Sequence, residues 1–84
     1  MTIRPLSKKL HQKLVKLQLL EPYNKQVRLF EKNTRHPSLN YEVMAETKKL
    51  RPVIHSFRIN QKYRVLGYEV GDEFQPINVT NHYK

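Results

Sequence analysis

The chain has 84 residues, a length that predicts one domain over residues 1–84 with a single small hydrophobic core. It contains no cysteine, which excludes disulfides and thiolate zinc sites, and no apolar run approaches the roughly 20 residues of a membrane helix. The formal net charge is +9, and residues 1–64 carry fifteen Lys and Arg against four Asp and Glu, a net +11. Such a field attracts polyanions, so nucleic acid or an acidic protein segment is the expected partner. The first ten residues lack the apolar core of a secretion signal, and we therefore expect a cytoplasmic protein without membrane contacts.

The first half of the chain has the pattern of two amphipathic helices. Ser7 is a suitable N-cap, and the leucines of the segment Leu10–Leu17 recur at the i, i+4, i+7 spacing of one helix face. We predict antiparallel helices at about residues 8–19 and 22–33, followed by irregular chain over residues 38–51. A helix-turn-helix DNA reader is disfavoured because no third helix follows and the turn lacks glycine.

The second half has the pattern of a β-sheet. Residues 53–59, 63–70 and 74–80 form three runs that predict strands, the first two rich in β-branched and aromatic residues. Pro76 lies inside the third run and predicts an edge strand or a bulge there. With a short strand possible at residues 2–4, the order predicts an α+β fold, two helices packed on one face of a small antiparallel sheet. The residues predicted to be buried are Leu10, Leu14, Leu17, Val27, Phe30, Val65 and Val79.

Three motifs occur in a characteristic order along the chain. They are HPSL at residues 36–39, SFRINQKYRVLGY at residues 56–68 and HYK at residues 82–84. The most specific part is the pattern S-x-R-I-x-x-x-Y-R-hydrophobic over residues 56–65. Together with the layout of the helical half, these motifs resemble the RelE/ParE toxin superfamily of bacterial toxin–antitoxin systems. The resemblance covers nearly the whole chain and implies a RelE-like, microbial RNase-like fold whose concave sheet face can bind RNA.

The resemblance also implies a function and partners. Members of the superfamily are normally neutralised by an antitoxin from the same operon, so a cognate antitoxin is the expected partner of a toxin that is otherwise a monomer or homodimer. Many RelE-like members cleave messenger RNA in the ribosomal A site without a metal, whereas the ParE branch inhibits DNA gyrase. The expected function is therefore that of a ribosome-dependent mRNA endoribonuclease, with the ribosome and mRNA as partners, no cofactor and no metal. Gyrase inhibition, or a catalytically inactive relative that binds only its antitoxin or RNA, are alternatives that the sequence leaves open.

Individual residues acquire expected roles through the same resemblance. Arg64 matches the arginine that the family often places at the scissile phosphate, and Arg58 matches an earlier family arginine. His82 and Tyr83 resemble the C-terminal pair of the YoeB-like branch, to which acid–base chemistry is assigned. Glu46 lies near the position of that branch's glutamate without aligning with it cleanly. The resemblance thus implies a catalytic group of Arg64, His82, Tyr83 and Glu46.

These residue types suit metal-free RNA cleavage, which needs a base, an acid and a cation for the phosphorane oxygens. A planar guanidinium can bind a phosphate through two hydrogen bonds, so Arg64 suits the role of the cation. A histidine titrates near neutral pH, so His82 suits either proton transfer. The non-functional interpretation is that Arg64 pairs with a cross-strand carboxylate. Further residues predicted to bind RNA phosphates are Arg58, Lys48, Lys49, Arg51 and Lys62.

The turn after Ile59 decides whether the two arginines share a face of the sheet. A two-residue turn at residues 60–61 would place them on opposite faces, whereas a three-residue turn at residues 60–62 would place Arg58 directly opposite Arg64. The absence of Asn-Gly favours the longer turn. In either register we expect Arg64 to face solvent, so that Arg64→Ala abolishes toxicity at little cost in stability.

Overall fold

The computed structural model describes residues 1–81. Within them the chain forms helices α1 (Lys8–Lys16) and α2 (Leu20–Lys32) and the strands β1 (Thr2–Ile3), β2 (Glu42–Val43), β3 (His55–Arg58), β4 (Arg64–Val70) and β5 (Glu73–Thr80). The strands form one sheet in the order β1-β5-β4-β3-β2, and the helices pack on one of its faces. The predicted α+β class is therefore confirmed. None of the helices in this part of the chain has the length and apolar character needed to cross a membrane.

The sheet is mixed, where the sequence had predicted an antiparallel one. Strand β1 pairs in parallel with β5, and the N–H of Thr2 donates to the carbonyl of Asp72 at 3.2 Å. The remaining pairs, β2 with β3, β3 with β4 and β4 with β5, are antiparallel. A parallel pair requires a long crossover connection, and here the two helices and three strands between β1 and β5 provide it.

Helix α1 begins and ends at recognisable caps. The Ser7 hydroxyl accepts a hydrogen bond from the N–H of Leu10 at 3.1 Å. At the other end Gln18 adopts the left-handed conformation with φ 58°, and the N–H of Leu19 donates to the carbonyl of Leu14 at 2.8 Å. This Schellman motif closes the helix at Lys16, three residues before the predicted end.

The buried face of α2 differs in one position from the predicted face. Gln26 takes an inward position, and its amide nitrogen donates to the carbonyls of Ser38 at 3.2 Å and Arg58 at 2.7 Å. Because Gln26 occupies this position, Val27 lies at the border of the helix face and is only partly buried. Leu17 is also partly buried, since it caps the end of α1. The remaining predictions are confirmed: Leu10, Leu14, Phe30, Val65 and Val79 are buried.

Between the helices and the sheet lies an aromatic core. Phe57, Val65 and Val79 are aligned across β3, β4 and β5 on the face that the helices cover. The ring of Phe30 from α2 lies 5.1 Å from that of Phe57 and 5.6 Å from that of Phe74. Since side chains alternate along a strand, the neighbours of these core residues in β3 and β4 project from the other face.

Pro76 is accommodated by a bulge, one of the two predicted alternatives. Leu66 pairs with Asn78 whereas Gly67 pairs with Pro76, so Ile77 is an extra residue in β5. The edge position is excluded, because β5 lies between β1 and β4.

The segment predicted to be irregular, residues 38–51, contains a short strand and two 3₁₀ turns. Strand β2 pairs with β3, with Glu42 opposite Ser56, and short 3₁₀ turns at Pro37–Leu39 and Ala45–Thr47 flank it. A two-residue strand is too short to show the alternation of apolar and polar residues by which strands are recognised.

Candidate nucleic-acid interface

Arg58 and Arg64 lie side by side on the face of the sheet that the helices do not cover. They are directly opposed in the register of β3 and β4, so their side chains share a face. The N–H of Ile59 donates to the carbonyl of Tyr63 at 2.9 Å, which leaves a three-residue turn at residues 60–62. The longer of the two predicted turns is therefore confirmed, together with the shared face.

The side chain of Asn60 sets the length of this turn. Its Oδ1 accepts hydrogen bonds from the N–H of Lys62 and the N–H of Tyr63, both at 2.8 Å. An asparagine that binds the backbone two and three residues ahead stabilises the turn locally. The backbone that presents the two arginines is therefore held by a local hydrogen-bond pair.

Arg64 is fully buried, at 0% exposure, which contradicts the expectation that it faces solvent. Its Nε donates to the Ser56 hydroxyl at 3.0 Å and its Nη2 to the Ser56 carbonyl at 3.2 Å. Nη2 also donates to the carbonyl of Asn40 and lies 3.7 Å from Oε1 of Glu42. These contacts tie β4 to β3 and to the chain before β2, so the guanidinium has a structural role whether or not it binds RNA.

Arg58 has a different environment although it is the direct cross-strand neighbour of Arg64. It is partly buried, and among residues 1–81 no hydrogen bond or ion pair engages its guanidinium. Its Nε is buried without a hydrogen-bond partner in this part of the chain. A buried donor without an acceptor costs about 1–3 kcal/mol. Two like charges directly opposed across strands add a further penalty. Both costs fall when an anionic oxygen binds beside Arg58.

The carboxylate next to this pair is that of Glu42, a residue that was not among the predicted site residues. Glu42 belongs to β2, lies opposite Ser56 and has a side chain that is 47% exposed. Glu46, the residue selected instead, is exposed on the Ala45–Thr47 turn and forms no ion pair within the described residues. The sequence feature that points to Glu42 is the alternation of apolar and charged side chains over Tyr41, Glu42 and Val43. Three residues are too few to predict a strand from such an alternation.

The other basic residues predicted to bind RNA are exposed, but the register places most of them away from the two arginines. Lys48, Lys49 and Arg51 lie on the connection between β2 and β3, which leaves the sheet where the N–H of Met44 donates to the carbonyl of Ile54. That is the end of β3 opposite to Arg58, about 10 Å away along the strand. Lys62, by contrast, lies in the turn that joins Arg58 to Arg64. His82 and Tyr83 lie outside the residues that the structure describes.

A second polar cluster lies on the helix-covered side. The Tyr41 hydroxyl donates to Oε2 of Glu69 at 2.5 Å, and the ring of His55 stacks on that of Tyr41 at 5.4 Å. Burial, reinforced by the hydrogen bond to Glu69, raises the pKa of Tyr41 well above its ordinary range. His55 lies opposite Gly67 and two residues before Phe57, so it shares the helix-covered face with Phe57 and the cluster adds nothing to the arginine pair.

Within residues 1–81 the acidic and histidine side chains form no group of three or more that could hold a metal ion. The chemistry available to the arginine face, as far as it is described, is therefore that of two guanidinium groups, one carboxylate and the Ser56 hydroxyl. Comparisons with protein-family models, with curated proteins and with solved structures found no match to this chain.

Proposed function

We propose that the protein is the toxin of a toxin–antitoxin system and acts as a ribosome-dependent, metal-free mRNA endoribonuclease in the cytoplasm. The observation that carries the proposal is the pair of opposed arginines on the helix-free face, in which Arg58 has no acceptor among residues 1–81. A phosphate is the ligand whose geometry a planar guanidinium matches best. The net charge of +9 supports a polyanionic substrate.

In this proposal the two arginines have different roles. Arg58 contacts the scissile phosphate and stabilises the negative charge that develops on the phosphorane oxygens, an effect worth about 10²-fold or more in rate. Arg64 is a positioning residue, because its Nε and Nη2 are directed to Ser56, Asn40 and Glu42. Its buried charge adds to the positive potential at the same phosphate.

Cleavage also requires proton transfer. A base removes the proton of the 2′-hydroxyl, whose oxygen then attacks phosphorus, and an acid protonates the leaving 5′-oxygen. Glu42 is the carboxylate nearest the arginine pair among the described residues and can act as the base. The roles of His82, Tyr83 and Glu46 in these transfers stay predictions that rest on the resemblance.

The proposal is tested by inducing the protein in bacterial cells and following three quantities together: incorporation of labelled amino acids, new 5′ ends in messenger RNA, and plasmid supercoiling. We expect translation to stop and cut messages to appear while supercoiling is unchanged. Arg58→Ala should lower cleavage about 10²-fold or more. Lys25→Ala on α2, which removes the same charge from an exposed site, is the control and should stay toxic.

Three other outcomes of this experiment would contradict the proposal, each in a different way. A change in supercoiling that precedes the loss of translation would replace the ribonuclease with a gyrase inhibitor. Translation arrest without cut messages would indicate a protein that binds the ribosome without catalysis. Undiminished cleavage by a folded Arg58→Ala variant would remove the arginine pair from the site.

A cognate antitoxin is the second part of the proposal. An antitoxin encoded beside the toxin would neutralise the basic surface, and the free toxin would be a monomer or a homodimer. Purification of the protein from its native host should recover one small co-encoded protein in stoichiometric amount. Recovery of the toxin alone from cells that tolerate it would contradict this part.

A further inference from the structure

Helix α1 carries a row of lysines that form no ion pair with an acidic residue of the described chain, residues 1–81. Its nine residues include Lys8, Lys9, Lys13 and Lys16 and no Asp or Glu, and all four side chains are exposed. At 3.6 residues per turn these positions fall within an arc of about 140°, beside the leucines that pack on the sheet. We call these four residues the α1 lysine row.

The physics of an isolated helix opposes this arrangement. Lys8 and Lys9 occupy the first turn, where the helix dipole favours acidic residues. Lys9 and Lys13 are four residues apart, so their like charges repel across one turn. Sequences depart from such local rules mainly where a function requires it.

The acidic residues of the described chain do not pair with the lysines of α1. No lysine among residues 1–81 forms an ion pair, since the carboxylates that have partners bind other groups. On α2, by contrast, three basic residues are interspersed with Glu21 and Glu31. The excess of positive charge on the helical layer is therefore concentrated on α1. The carboxylates with other partners are those of Glu31, Glu42, Glu69, Asp72 and Glu73.

A groove of about 390 Å³ lies between α1 and β5, and two lysines of the row, Lys9 and Lys13, line it. Lys13 is fixed at the groove, because its Nζ donates to Oδ1 of Asn78 at 3.1 Å and to the carbonyl of Val79 at 2.8 Å. Lys9 lines the same groove, and half-exposed Ile77 from the bulge lies on its other side. The groove thus presents ammonium groups and one apolar side chain to a ligand.

The residue types define the chemistry of that ligand. The α1 lysine row contains no arginine that could read a base edge, and α1 has no Phe, Tyr or Trp on which an unpaired base could stack. Its one imidazole, that of His11, lies about 60° outside the arc of the four lysines. Lysines are compact point charges that contact phosphates without regard to sequence. We propose that the α1 lysine row and its groove bind the sugar–phosphate backbone of duplex RNA, on the opposite side of the sheet from Arg58. This inference rests on α1 alone and does not require the chain to cleave RNA.

The test measures binding of the purified full chain to a fluorescein-labelled RNA duplex of about 16 base pairs by anisotropy, over a series of KCl concentrations. The variant Lys9→Gln/Lys16→Gln removes two charges from the row and leaves the anchored Lys13 in place. Lys25→Gln/Lys32→Gln removes two exposed charges from α2 and is the matched control. We expect the α1 variant to bind about tenfold more weakly and to lower the salt slope by about 2. The control should change affinity by less than about threefold.

The thermal stability of both variants, followed by circular dichroism, identifies any loss of fold. We expect the α1 variant to melt no lower than wild type, because repulsion within the helix is reduced. Equal losses of affinity in the two double variants would overturn the proposal, because duplex binding would then depend only on the net charge of the protein. Tighter binding of a polyglutamate peptide than of the duplex would also overturn it, in favour of an acidic protein partner.

Discussion

Replacing Arg64 by alanine should remove a large share of the folding free energy, the opposite of what its expected exposure at a strand tip implied. Each hydrogen bond to a charged group contributes about 1.5–3 kcal/mol, and removal of one partner from a buried charged network costs about 3–5 kcal/mol. Arg64 donates to Ser56 and Asn40 and pairs with Glu42, all of which would lose a partner. A domain of this length has a total stability of roughly 4–13 kcal/mol. We therefore expect Arg64→Ala to be clearly less stable than wild type, and unfolded if the total lies at the lower end of that range.

The measurement is urea denaturation followed by circular dichroism. With a slope of about 1 kcal/mol per molar urea, a loss of about 3–5 kcal/mol lowers the midpoint by about 3–5 M or abolishes the folded baseline. Arg58→Ala is the matched control, because it removes the same side chain from the opposed position. It should lose about 1 kcal/mol or less, since the guanidinium of Arg58 has no hydrogen-bond partner among residues 1–81. Similar losses in the two variants, or a loss below about 1 kcal/mol for Arg64→Ala, would refute the structural role of Arg64.

Three further predictions concern the scaffold. Gly67→Ala should destabilise the domain by about 2 kcal/mol or more in the same urea assay. The reason is that a Cβ there would lie closer than 3.0 Å to the carbonyl of Gln75 and the ring of Phe74. An unchanged midpoint would contradict this prediction and show that β5 can shift to make room. Gln18→Gly should raise the free energy of unfolding by about 0.5–1 kcal/mol, since glycine adopts the left-handed conformation at φ 58° without the penalty of a Cβ. A drop in stability would contradict the Schellman closure of α1. Burial, with a smaller effect of the nearby Glu31 charge, raises the pKa of Tyr23 to about 12. The stability that neutral Tyr23 contributes is full below about pH 10 and is lost as the pH rises towards 12. The free energy of unfolding should therefore fall between about pH 10 and 12 in wild type and less in Tyr23→Phe.

Much of the fold follows from local sequence patterns. The leucine period of α1 and the Ser7 cap predicted the first helix, and the runs rich in β-branched and aromatic residues predicted β3 and β4. The absence of Asn-Gly after Ile59 favoured the three-residue turn, which in turn placed Arg58 opposite Arg64. These features were predictable because helix and strand periods, caps and turns depend on residues close together in the chain.

The environment of each site residue was decided by the tertiary structure. Arg58 and Arg64 have the same side chain and face the same way, yet only Arg64 is enclosed by Ser56, Asn40 and Glu42. Its partners come from the neighbouring strand β3 and from the chain around β2, a segment whose two-residue strand has no periodic signal. Burial and ion pairing depend on which distant segment packs over a strand. A local pattern specifies the face of the sheet on which a side chain projects. Which segment covers that face depends on tertiary contacts, and those of Arg64 join residues 8 to 24 positions apart in the chain.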